Sequence, residues 1–80
     1  MREYINISHI FGIVLRKTRQ QSNLSQEHLA ELANVDKSYV SLLEQGKRQP
    51  SITILFKLAD ALNVSPLDFI HTLENDVPKY

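Results

Sequence analysis

Lys37, Ser38, Ser41 and Gln45 recur at the spacing of one helix face, with Tyr39 and Leu42 at its margins and the apolar Val40 and Leu43 opposite. The polar side chains are donors and acceptors of the kind that pair with nucleic-acid base edges. A lysine ammonium donates to guanine O6 and N7, a serine hydroxyl bonds several bases, and a leucine covers a thymine methyl, which gives Leu42 a role. Tyr39 reaches either a base or a phosphate. An ordinary amphipathic helix with a solvated polar face has the same periodicity, so spacing alone leaves both readings open. Just beyond, Lys47, Arg48, Gln49 and Ser51 offer cations and small donors suited to phosphates, and the N–H groups opening the following helix add an anion site. A Lys-Arg pair beside Gly46 also serves plain solubility.

These side chains need a rigid support, and the stretch LSQEHLAELANVDKSYVSLLEQG from Leu24 to Gly46 supplies its own punctuation. Ser25 is placed as an N-cap with Leu24 and Leu29 as a hydrophobic staple, and Asp36 repeats the device with Val35 and Val40. Between them Asn34 suits the left-handed residue that ends one helix, and Gly46 ends the next. Two short helices joined by so tight a turn make a helix-turn-helix over about residues 25–45, whose second helix fits the major groove of DNA.

The same Asn-apolar-cap cassette occurs at residues 23–25, 34–36 and 63–65, and Gly46-Lys-Arg-Gln-Pro-Ser supplies a fourth, longer corner. Four corners predict an all-α chain of five helices. The first is expected to be capped by Ser8 and to run to about Ser22, with Phe11, Leu15 and Thr18 inward and Asn23 closing it. Residues 1–7 form a lead too short to assign as a strand. The fourth, from Ser51 to about Leu62, is apolar apart from an arc of Thr53, Lys57 and Asp60, so neighbours or another subunit should cover it. The fifth begins at Ser65 with Pro66 in its first turn, Asp68 completing a capping box and Val64 stapled to Phe69. Its apolar face is wider than one core requires, which points to Leu67, Ile70 and Leu73 as a dimer surface, with Phe69 turned into the monomer core. Residues 75–80 read as a frayed tail.

Eighty residues allow one small domain, barely large enough for a self-sufficient core. There is no cysteine, hence no disulfide, thiolate nucleophile or thiolate metal site. No apolar run spans a bilayer and no signal-peptide core opens the chain, which places it in the cytoplasm with no membrane partner. His9, His28 and His71 are too scattered for a metal or catalytic set, and no Ser-His-acid order, paired carboxylates or Gly-rich phosphate loop is present. An enzyme, a cofactor and a small-molecule effector are therefore not expected. The formal net charge of 0 argues against nucleic acid, yet residues 1–57 carry eight basic against five acidic side chains, and residues 58–80 one against four. Such a dipolar chain presents one end to phosphates.

The segments LSQEHLA, ANV, SYVSLLEQGKRQPS and LFKLADALNVS resemble the Cro and phage-repressor type of helix-turn-helix regulator, XRE-like, over roughly residues 11–70. The recognition helix opening Asp-basic-Ser-Tyr is similar to that of the controller proteins of restriction-modification systems. The resemblance implies a five-helix, lambda-repressor-like fold, a DNA-backbone contact by Gln26, and a structural ion pair between Arg19 and Glu44. Two residues depart from the pattern: Thr18 stands where the family has a larger apolar residue, and Leu42 where it often has a polar one. The combined expectation is a sequence-specific transcription regulator that binds double-stranded DNA as a homodimer on a palindromic operator and blocks or recruits RNA polymerase. An antitoxin-like or phage-type repressor, and a protein-interaction module that keeps the fold without binding DNA, are the rival readings.

Overall fold

The computed structural model describes residues 7–76, which form five helices in chain order: α1 (Ile7–Gln21), α2 (Gln26–Ala33), α3 (Lys37–Glu44), α4 (Ile52–Ala61) and α5 (Pro66–Asp76). The corners follow from local backbone chemistry. Asn23, Asn34, Asn63 and Gly46 all lie at positive φ, between 56° and 75°. At each, the next residue's N–H returns to a carbonyl five positions back: Leu24 to Arg19, Val35 to Ala30, Lys47 to Leu42 and Val64 to Ala59, at 2.9–3.2 Å. This is the Schellman closure, which satisfies helix-end carbonyls and turns the chain sharply enough to start another helix. Three of those next residues, Leu24, Val35 and Val64, also pack against the core.

The Ser25 hydroxyl accepts from His28 N at 2.9 Å, and Ser51 from Ile54 N at 3.1 Å, as their capping roles predict. Three expectations at helix starts are corrected. Ser8 lies inside α1, which already includes Ile7. Asp36 has N-cap backbone angles but its carboxylate makes no cap bond and accepts from Ser38 instead. Ser65 accepts from Leu67 N at 3.2 Å, an ordinary N-cap bond, and the capping box expected with Asp68 is not made. At the far end α5 continues through Asn75 and Asp76, where a frayed tail was expected. Residues 1–6 of the expected lead and 77–80 of the expected tail lie outside the described residues.

One core cluster joins all five helices, with Leu15, Leu29, Val40, Leu43 and Leu58 fully buried. Packing puts α3 against both α1 and α2, α4 against α2 and α5, and α5 against α1. Phe11 and Phe69 tie α1 to α5, with ring centroids 5.7 Å apart. At Thr18 the hydroxyl donates to Val14 O at 2.8 Å. A recess of about 180 Å³ lies there, lined by Val14, Thr18, Phe69 and Thr72, which is the looser contact expected of a small polar residue.

Gly12 decides how closely α1 approaches α3. A methyl group on it would stand 2.6 Å from the carbonyl oxygens of both Leu43 and Glu44, closer than van der Waals contact allows. Gly12→Ala is therefore expected to destabilise the chain. The helix-propensity gain of about 1 kcal/mol is outweighed by a backbone overlap that costs on the order of 1–3 kcal/mol or more. Thermal melts should show a lower Tm, and an unchanged or raised Tm would mean that α1 slides away freely.

Candidate nucleic-acid interface

The support for α3 is polar as well as apolar. Its inner face buries Val40 and Leu43, and at its C-terminus Glu44 is gripped from two sides. Arg19 of α1 donates from Nε to Glu44 Oε2 at 2.6 Å and from NH2 to Oε1 at 3.0 Å, while its NH1 reaches Leu24 O at 2.8 Å. Gln26 Nε2, at the start of α2, donates to Glu44 Oε1 at 3.1 Å. The two charged side chains are only 12% and 4% exposed, so the pair is largely out of water. The bond to Glu44 raises the Arg19 pKa above its ordinary value against the opposing effect of burial, and the guanidinium stays charged at any pH the fold meets. One cluster thus fixes the end of α3 to α1, to the corner before α2, and to α2 itself.

Outward from this clamp, Lys37, Ser38 and Gln45 are exposed and Ser41 is half-buried, with Gln45 just past the last turn as the C-cap. Tyr39 and Leu42 sit at the margins, half-buried, as the helical projection predicts. Gln45 Nε2 donates to Ser41 Oγ at 2.8 Å, so these two act as one unit. Lys47, Arg48 and Gln49 are exposed in the loop between α3 and α4. The Arg48 guanidinium lies over the Tyr39 ring, 5.6 Å from its centroid, which ties that loop to the exposed side of α3. Ser51, also exposed, keeps its hydroxyl hydrogen while its oxygen caps α4.

Two features had no signal in the spacing of residues. Gly12 works through a contact between segments about thirty positions apart, and the amide hydrogen that Gln26 gives Glu44 joins α2 to α3. That bond leaves Gln26 its second amide hydrogen and its carbonyl oxygen. His9, His28 and His71 are all exposed, and among the described residues no group of His, Asp and Glu is arranged to hold a metal ion. No described helix is long and apolar enough to cross a membrane.

A family model described as helix-turn-helix matches residues 15–69, from the middle of α1 to the first turn of α5. The chain belongs to the helix-turn-helix family. Among its relatives is the control protein C.BamHI of Bacillus amyloliquefaciens, 38% identical over 66 residues that cover 81% of this chain and 82% of that protein. The crystal structure of the restriction-modification controller protein C.AhdI from Aeromonas hydrophila aligns with a TM-score of 0.75 and 42% identity over 78% of this chain and 94% of that one. The controller C.Esp1396I, solved as a tetramer in complex with its natural 35 base-pair operator, aligns with a TM-score of 0.80 and 29% identity over 86% of this chain and 91% of its own. In this helix-turn-helix protein α2 and α3 are the pair that names the family, and these relatives are regulators.

Proposed function

We propose that this protein is a non-enzymatic, sequence-specific regulator of transcription in the cytoplasm, of the restriction-modification controller kind, acting as a homodimer on an imperfectly palindromic operator. The observation that carries this reading is the presentation of α3. The helix is immobilised by buried Val40 and Leu43 and by the Arg19–Glu44–Gln26 cluster, while Lys37, Ser38, Ser41 and Gln45 lie on its outer side. Rigid placement of a few donors is what base readout requires. The operator complex of C.Esp1396I supports double-stranded DNA as the partner. Bound across a promoter, such a dimer blocks or recruits RNA polymerase.

In this reading Lys37, Ser38, Tyr39, Ser41 and Leu42 meet bases, and Gln26, Lys47, Arg48, Gln49 and Ser51 hold phosphates. Lys37→Ala should lower discrimination between cognate and mutated sites by about 1–3 kcal/mol, the worth of a good guanine contact. Arg48→Ala should weaken all sequences alike, because a phosphate contact carries no sequence information. Binding isotherms across salt separate the two roles, since loss of one phosphate contact flattens the slope of log affinity against log salt by about 0.9. An Arg48→Ala protein with altered sequence preference and an unaltered slope would show the roles to be reversed. The first experiment is a mobility shift with DNA from the protein's own promoter.

A further inference from the structure

We propose that Asp36 sets the hydrogen-bond polarity of Ser38 and thereby makes Ser38 a reader of amino-bearing bases, adenine or cytosine, in the major groove. The inference rests on the functional reading above, in which α3 enters that groove. Ser38 Oγ donates to Asp36 Oδ2. An ionised carboxylate only accepts, so the single hydrogen of the Ser38 hydroxyl is committed and the oxygen offers lone pairs alone. On the major-groove edges the donors are adenine N6 and cytosine N4, whereas guanine N7 and O6 and thymine O4 are acceptors. A serine free to rotate serves both classes. One held by Asp36 serves only the first.

Asp36 is available for this because it does not cap α3. Its backbone, at φ −77° and ψ 141°, is placed for capping, and the equivalent Ser25 and Ser51 do bond first-turn N–H groups. The Asp36 carboxylate turns to Ser38 instead, and only its backbone carbonyl serves the helix, taking Tyr39 N at 3.0 Å and Val40 N at 3.2 Å. Lys37, between the two, has hydrogens only and seeks acceptors. Consecutive residues of the recognition helix thus have opposite polarity, and the half-site they select pairs an acceptor base with an amino base. A negative charge at this place also repels phosphates, so Asp36 lowers affinity for every sequence while it sharpens choice at one.

The test is quantitative binding to operator variants carrying each base at every half-site position, for the wild type, Asp36→Ala, Asp36→Asn and Ser38→Ala. Asp36 and Ser38 are exposed, so the variants should stay folded, which circular dichroism checks. The wild type should prefer adenine or cytosine at one position by roughly tenfold, the worth of one hydrogen bond against two acceptors that face each other unpaired. Ser38→Ala should erase that preference there alone. Asp36→Ala should cut it to about twofold, raise affinity for all sequences, and leave the guanine preference of Lys37 intact. Asp36→Asn keeps a side-chain oxygen to accept while losing the charge, so it should share the gain in affinity and retain the preference. Full retention of the preference in Asp36→Ala, a Ser38-dependent position that favours guanine or thymine, or no Ser38-dependent position at all would overturn the proposal while leaving DNA recognition standing. A wild-type protein that discriminates no sequence would remove the functional reading and this inference with it.

Discussion

Glu44→Ala is expected to cost about 3–5 kcal/mol of stability, because it strands the Arg19 guanidinium in a site only 12% exposed and also removes the acceptor of Gln26. A domain of 80 residues has about 4–12 kcal/mol in total, so the variant should be marginal at room temperature. Each kcal/mol moves the Tm of so small a domain by about 4–8 °C. Replacing both partners with apolar residues should cost far less than either single change, since the desolvation penalty disappears with the charges. The double-mutant cycle over Arg19 and Glu44 isolates the coupling. A value within the few tenths of a kcal/mol by which independent sites already deviate would mean that the pair is solvated and that α3 is held by Val40 and Leu43 alone.

Ile70→Asp is expected to give a folded monomer whose operator affinity falls by roughly two to four orders of magnitude, the avidity lost when two half-sites are no longer bound together. Of the six exposed large apolar side chains among the described residues, Ile13 and Leu32 lie on α1 and α2, and the other four lie on α4 and α5. Ile52 and Leu67 are 72% and 74% exposed, with Phe56 and Ile70 also in solvent. Ile52, Phe56, Val64 and Pro66 line an open groove of about 610 Å³. Leu73, proposed from the sequence as part of the same surface, is half-buried and packs against the core, while Leu67 and Ile70 are its exposed members. Isologous pairing of this surface would relate two copies of α3 by a two-fold axis. Sedimentation at graded concentrations tests it: a wild type that stays monomeric at high micromolar concentration, or an Ile70→Asp protein that still dimerises, would contradict the assignment.

The helix corners were legible because their chemistry is local. A left-handed asparagine, an apolar residue and a cap lie within three positions, and each instance formed the corner it announced. Caps were less secure. A cap is worth about 1 kcal/mol, and a neighbouring hydroxyl drew the Asp36 carboxylate away. The periodicity of α3 placed Val40 and Leu43 inside and Lys37 and Ser38 outside, while the Arg19–Glu44 pair was expected only from family resemblance. Gly12 and the Gln26 bond to Glu44 depend on which segments meet in three dimensions, which neither composition nor spacing encodes. Leu73 illustrates the same limit within one helix: a period identifies an apolar face but not which edge of it the chain's own core will take.

The most direct test of the whole account is selection of bound sequences from random DNA by the wild type and by Lys37→Ala. The wild type should enrich an imperfect palindrome whose half-site centres lie about 34 Å, one helical turn, apart, and Lys37→Ala should lose the guanine preference in each half while keeping the spacing. Enrichment of no motif, or of an asymmetric motif that Lys37→Ala leaves unchanged, would contradict it.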